Sequence, residues 1–210
     1  MNTMKVIAGA ALVCLLAAGV SSTALAQDGD SPIEASLMGG IHVVNQNDTA
    51  VPDHFVNVPL VASLGYRVSS NLAVEGEFTW MIPVKQSVDV GSGPSQDMKN
   101  PDILAYQANV RADLPVSSSW SPYLVAGAGA LTMLSNTDAD RVPQLDKSET
   151  MFALNFGGGV SYGFASQWAL RGDFRELAAF PSEHASGLSD ASGADTIWME
   201  RGTVGLEYRF

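Results

Sequence analysis

Hydrophobic and polar residues alternate along the segment 203–210. The apolar positions are Val204, Leu206, Tyr208 and Phe210. The polar positions between them include Thr203, Glu207 and Arg209. Successive side chains of a β-strand point to opposite faces, so this period of two predicts a strand with one apolar face.

Seven further segments show comparable alternation. The eight predicted strands are 32–44, 57–68, 72–85, 102–114, 121–134, 151–164, 168–180 and 196–210. Each is close to or somewhat longer than the roughly 9–11 residues that a tilted strand needs to cross a bilayer. In the fifth strand, around Tyr123 and Leu124, apolar residues occupy both parities. The sequence therefore does not show which face of this strand points inward.

The predicted connections alternate strictly in length. Short polar turns fall at 69–71, 116–119 and 165–167. Long connections rich in Gly, Ser, Asp or Pro fall at 46–56, 87–101, 137–148 and 181–195. This asymmetry is typical of an outer-membrane barrel, with short turns in the periplasm and long loops outside. The sequence thus predicts an all-β, eight-stranded, antiparallel up-and-down transmembrane barrel.

The positions of the aromatic residues favour a membrane barrel over a soluble one. One set falls near the short turns: Tyr66, Tyr162, Phe164, Trp168, Tyr208 and Phe210. A second set falls toward the long loops: Phe78, Trp80, Phe152, Phe180 and Trp198. Two such sets predict interfacial girdles with the apolar face toward lipid. The alternative is a soluble periplasmic, lipocalin-like binding barrel, whose apolar face would point inward.

The amino-terminal segment predicts export. Residues 1–26 have a basic start, a short apolar stretch and an Ala24-Leu25-Ala26 cleavage site, which is the pattern of a secretory signal peptide. Residues 27–210 are then a single barrel domain. Loss of Lys5 leaves 22 acidic and 10 basic residues, a net charge of −12, which argues against nucleic acid as a partner. The single cysteine, Cys14, lies in the signal, so no disulfide is expected, and no motif predicts a cofactor or metal.

If the apolar face meets lipid, the charged residues of the strands point inward. They are Glu34, Arg67, Glu75, Glu77, Lys85, Arg111, Asp113, Arg171, Asp173, Arg175, Arg201, Glu207 and Arg209. Seven are basic and six are acidic, so they nearly cancel. The interior of an eight-stranded barrel is just wide enough to be filled by side chains. We therefore expect these groups to pair in a solid polar core and expect no open diffusion pore.

The long loops are acidic. Their acids include Asp48, Asp53, Asp89, Asp97, Asp138, Asp140, Asp146, Glu183 and Asp190, against Lys99, Arg141 and Lys147. Such loops could contact lipopolysaccharide through divalent cations, bind an extracellular ligand, or simply stay hydrated.

One loop offers an enzymatic alternative. His184, Ser186 and Asp195 supply the side chains of an activated serine for acyl transfer. The stretch resembles the His-x-Ser-Asn motif of the outer-membrane lipid A deacylases, which implies a lipid A hydrolase. Here Gly187 stands where that motif has Asn, so the expected oxyanion donor is missing.

As a whole, residues 32–210 resemble the outer membrane protein beta-barrel domain family, which includes relatives of the OmpA transmembrane domain and OmpX. The resemblance is carried by 120–129, 168–175 and 208–210. It implies an integral outer-membrane protein of a Gram-negative bacterium, surrounded by outer-membrane lipids and lipopolysaccharide, with a structural or surface-interaction role rather than an enzymatic one. It also implies insertion by the barrel-assembly machinery, with Tyr208 and Phe210 as the assembly signal.

Overall fold

In the part of the chain that the computed structural model describes, the secondary structure consists of ten β-strands. The structure describes residues 31–45, 54–84, 86–88, 96–98, 101–114, 116, 119–135, 148–181 and 196–210. The strands are β1 Ile33–Asn45, β2 His54–Ser69, β3 Leu72–Pro83, β4 Gln86–Val88, β5 Gln96–Met98, β6 Ile103–Asp113, β7 Trp120–Met133, β8 Glu149–Gly163, β9 Trp168–Phe180 and β10 Ile197–Arg209. Within these ranges, no helix has the length and apolar character needed to cross a bilayer.

Eight of the strands form a closed antiparallel barrel in the order β1-β10-β9-β8-β7-β6-β3-β2. Strands β1 and β10 close it with a continuous register from Glu34 opposite Arg209 to Asn45 opposite Trp198. Closure pairs the backbone groups that an open sheet would leave at its edges, as hydrocarbon requires. The predicted eight-stranded, antiparallel barrel is confirmed.

The second long connection departs from the prediction. We expected 87–101 to be a loop, but β4 and β5 pair there in a separate two-stranded sheet, with Ser87 opposite Asp97. Each of these strands has three residues, which is too short for a period of two to be recognised in the sequence. Strand β2 also begins at His54, three residues before the predicted start.

The apolar parity of the barrel strands faces outward. In β3 the burial alternates along the whole strand, with Val74 and Trp80 exposed and Glu75 and Glu77 buried. The structure also shows which face of β7 points inward, since Leu124 is 61% exposed while Tyr123 is buried. An apolar outer wall with a charged interior is the arrangement of a barrel surrounded by lipid. The soluble alternative, with the apolar face inward, is wrong.

Aromatic pairs lie at both ends of this wall. Near the short connections, the rings of Trp120 and Tyr162 are 4.6 Å apart, and those of Trp168 and Tyr208 are 4.8 Å apart. Near the long connections, the rings of Phe152 and Phe180 are 6.0 Å apart. Each pair joins neighbouring strands, so the rings extend around the wall as interfacial girdles do.

The interior divides into two layers. The charged residues occupy the part near the short connections, as described below. The part near the long connections is filled by an apolar layer, which consists of Val44, Met81, Ile103, Ala105, Leu131, Met133, Met151, Ala153, Leu177, Ala179, Ile197 and Met199. The predicted polar core is therefore only one part of the interior. The inward parity continues past the charged positions into buried aliphatic and thioether side chains.

Candidate functional site

The charged interior of the barrel is the most elaborate constellation of chemistry in the described residues. Six carboxylates and six guanidiniums form one network of ion pairs, which we call the ionic core: Glu34, Glu75, Glu77, Asp113, Asp173, Glu207, Arg67, Arg111, Arg171, Arg175, Arg201 and Arg209. Strand parity brings them together, because every inward position of a closed barrel shares the same lumen. Lys85, the remaining residue of the predicted set, lies outside the described residues.

Glu75 on β3 is at the centre of the ionic core. Its Oε2 accepts a hydrogen bond from Nη1 of Arg171 at 2.7 Å, and its Oε1 accepts one from Nη2 of Arg175 at 3.1 Å. Nη1 of Arg111 is 3.7 Å from the same carboxylate. One buried carboxylate thus holds three guanidiniums that come from β6 and β9.

Two smaller groups flank this centre. Toward the long connections, Arg201 donates to Glu77 and to the hydroxyl of Thr79, each at 2.7 Å. Toward the short connections, Arg111 pairs with Glu34 and with Asp113. The network therefore links strands on opposite sides of the lumen as well as neighbours.

The rim of the ionic core at the short connections is partly open. Arg67 pairs with Glu34 at 3.1 Å while its side chain is 27% exposed. Arg209 pairs with Glu207 at 3.0 Å while its side chain is 38% exposed. These two arginines connect the buried network to the aqueous phase at this end of the barrel.

Tyr123 is a member of the interior that sequence reasoning missed. Its hydroxyl donates to Oδ2 of Asp173 at 2.8 Å and accepts from Nε of Arg171 at 2.9 Å, while the Arg171 guanidinium lies 4.9 Å from the ring centre. A Cβ at Gly159 would collide with this hydroxyl, so the absence of a side chain there makes room for it. Because both parities of β7 are apolar, no sequence signal marked Tyr123 as inward.

Two buried amide side chains, Asn109 and Asn155, extend the hydrogen-bond network of the ionic core. Asn155 donates to Oδ1 of Asn109 at 2.8 Å, and Asn109 lies opposite Glu75 in the register of β3 and β6. Buried polar groups are stable when they are hydrogen-bonded. Besides their mutual bond, Asn109 donates to Glu75 and Asn155 accepts from Arg175, each at 3.5 Å. Their inward parity in the sequence was the available signal.

The ionic core is electrically balanced and largely buried. With six carboxylates and six guanidiniums it has no formal net charge. Four of its arginines are almost completely buried: Arg111, Arg171, Arg175 and Arg201. An ion that enters the lumen would therefore meet carboxylates and guanidiniums that are already paired with each other. Among the described residues, no group of three His, Cys, Asp or Glu side chains could hold a metal ion.

Tyr208 and Phe210, the residues predicted as the assembly signal, lie at the closing seam. The Phe210 amide donates to the carbonyl of Ile33 at 3.1 Å, and the ring of Phe210 packs edge-on against Tyr208 at 5.0 Å. The residues of the enzymatic alternative, His184, Ser186 and Asp195, lie outside the described residues. That alternative stays a prediction.

Two charged residues interrupt the lipid-facing wall. Glu176 of β9 lies opposite Glu200 of β10, and both have the outward parity. Like charges in directly opposite positions of a sheet are destabilising, and so is a charge that faces lipid. Neither residue is among the charged positions predicted from the sequence.

Comparisons with known proteins agree with this architecture. No curated protein matches the sequence. The fold is similar to that of neisserial surface protein A (TM-score 0.59, 15% identity, 87% of this chain and 100% of that chain). It is also similar to the amino-terminal β-barrel of Pseudomonas aeruginosa OprF (TM-score 0.50, 13% identity, 87% of this chain and 100% of that chain). At these identities the likeness concerns the fold alone. The family model for the outer membrane protein beta-barrel domain matches residues 11–210, and this chain, an integral protein of the Gram-negative outer membrane, belongs to that family.

Proposed function

We propose that this protein is a structural and surface-interaction barrel, an outer-membrane anchor that presents acidic loops outside the cell and conducts no solutes. The observation that carries the proposal is the closed interior. The ionic core and the apolar layer fill successive parts of the lumen. A solute would have to break buried ion pairs and then pass a mostly apolar layer, and both steps are costly.

The interaction partners we propose are lipopolysaccharide and extracellular ligands. The long connections carry ten acids against three basic residues, so their charge favours divalent cations. A cation bound there would bridge to the phosphates of lipopolysaccharide. No cofactor takes part in this role, and we propose no catalytic step.

Conductance measurements test the closed interior. The full-length protein, inserted in a planar bilayer, should show no stable open state in either orientation. Large, long-lived conductance steps would contradict the anchor role, because they require a continuous aqueous path through the ionic core.

The loop contact is tested by neutralising one long loop. The variant D138N/D140N/D146N keeps the size of the loop and removes three negative charges. We expect the wild type, purified in mild detergent, to retain lipopolysaccharide in Mg²⁺ and to release it in EDTA, and we expect the variant to retain less in Mg²⁺. Equal retention by both proteins, or retention that does not depend on Mg²⁺, would show that these acids only hydrate the loop.

A further inference from the structure

We propose that the lipid-facing wall of β1, β2, β3 and β6 holds one acyl chain of a phospholipid of the periplasmic leaflet. The wall there contains a groove of about 610 Å³, within the roughly 300–1,000 Å³ of small-ligand sites. Its lining includes Leu64, Tyr66, Gly76, Ala108, Val110 and Phe210. The side chains that line it are almost entirely apolar, so it suits a hydrocarbon chain.

The strand register explains why a groove forms here. One lateral row of outward side chains is Ile33, Tyr66, Val74 and Val110. The next row is Ala35, Leu64, Gly76 and Ala108. The third is Leu37, Ala62, Phe78 and Tyr106, with the last two rings 5.5 Å apart. The middle row, which is mostly small, is therefore a trench between two rows that contain bulky side chains.

The trench runs in a direction that a lipid chain can follow. Rows of paired residues cross the strands, and strands of such barrels tilt by roughly 35–45° from the barrel axis. The trench is therefore inclined to the membrane plane and leads from the interface into the hydrocarbon. An acyl chain attached to a headgroup at the interface would lie along it.

The position of the groove identifies its occupant. Of its lining residues, Tyr66 and Phe210 lie at the short-connection end of the wall. In barrels of this class the short connections face the periplasm, whose leaflet holds phospholipid. A chain that enters the groove from this end therefore belongs to a phospholipid.

Photocrosslinking tests this site directly. The full-length protein is folded into vesicles of phosphatidylethanolamine and phosphatidylglycerol that contain a trace of phospholipid with a diazirine on its acyl chain, and labelled peptides are mapped by mass spectrometry. We expect labelling of the groove residues to exceed labelling around Gly172, on the lipid-facing side of β9, by about tenfold, which corresponds to about 1.4 kcal/mol.

A matched pair of substitutions fills the groove or leaves it unchanged. At Gly76 there is room for a side chain, because the atom nearest to an added Cβ is a backbone oxygen at 4.0 Å. The leucine of Gly76→Leu would therefore occupy the groove. At Gly172 nothing lies within 4 Å, so Gly172→Leu is the same change outside the groove. We expect the first variant to abolish the enrichment and the second to keep it. Boiled and unboiled gel mobility shows that each is folded, and Ala108→Leu replaces Gly76→Leu if that variant does not fold.

Several outcomes would overturn the proposal. Uniform labelling around the wall would mean that ordinary boundary lipid covers the groove. Stronger enrichment with a lipid A probe than with the phospholipid probe would assign the groove to the other leaflet. Enrichment that survives both Gly76→Leu and Ala108→Leu would place the chain elsewhere.

Discussion

Replacement of Glu75 by Gln tests whether the ionic core stabilises the barrel. The two side chains have nearly the same shape, so the change removes one charge with little effect on packing. Glu75 is buried and accepts from Arg171 at 2.7 Å and from Arg175 at 3.1 Å. The variant would leave six guanidiniums against five carboxylates in a lumen that water cannot easily reach.

The size of the effect follows from the burial of the partners. Removal of one partner of a buried ion pair costs about 3–5 kcal/mol, because the remaining charge has lost its compensation. Net stabilities of folded domains are about 5–15 kcal/mol, so this single change should remove a large part of the stability. Glu176→Gln is the matched control, since it removes the same charge from the lipid-facing wall.

The assay is equilibrium unfolding in urea of the full-length protein in lipid vesicles, followed by tryptophan fluorescence. A loss below about 1 kcal/mol, the value of a solvent-exposed pair, would refute the reasoning and show that the core is hydrated. Glu75→Gln combined with Arg171→Met restores the balance of charges. The double variant should therefore lose less stability than the sum of the two single variants, because the two residues are in contact.

Four further predictions use the same unfolding assay or the gel-mobility assay. Leu177→Ala should cost about 2–5 kcal/mol by leaving a cavity in the apolar layer, and no change would mean that this layer is loosely packed. Tyr123→Phe should cost about 1–3 kcal/mol, because Nε of Arg171 loses its acceptor; an unchanged urea midpoint would contradict this role. Glu176→Leu should raise the free energy of unfolding by roughly 0–1 kcal/mol, the range for removing a lipid-facing charge near the interface. A clear loss of stability would show that the carboxylate has a stabilising partner. Phe210→Ala should reduce the heat-modifiable form in the outer membrane, since Phe210 packs at the seam between β1 and β10, and unchanged levels would contradict an assembly role.

Local alternation was sufficient to predict the eight barrel strands. A strand exposes one face to lipid and one to the lumen, so its two parities must differ in polarity, and this difference is readable in a single strand. Strand β3 illustrates it, because Val74 and Glu75 already belong to opposite faces in the sequence. The small strands β4 and β5 were missed because three residues do not contain a measurable period.

The sequence did not show which inward side chains pair with each other inside the lumen. Parity places Glu75 and Arg175 on the inward face, but these residues are 100 positions apart in the sequence. Only the closure and stagger of the barrel bring Nη2 of Arg175 to 3.1 Å from Oε1 of Glu75. The same holds for Tyr123, whose inward direction depends on the space left by Gly159.

The sequence by itself determined the class of the protein, because a lipid environment imposes its polarity rule on every strand separately. Only the tertiary structure decided how the lumen is filled and where the outer wall is concave. The ionic core, the apolar layer and the trench over Gly76 and Ala108 each combine side chains from several strands. Their positions depend on strand register, which is a property of the closed barrel and not of any one segment.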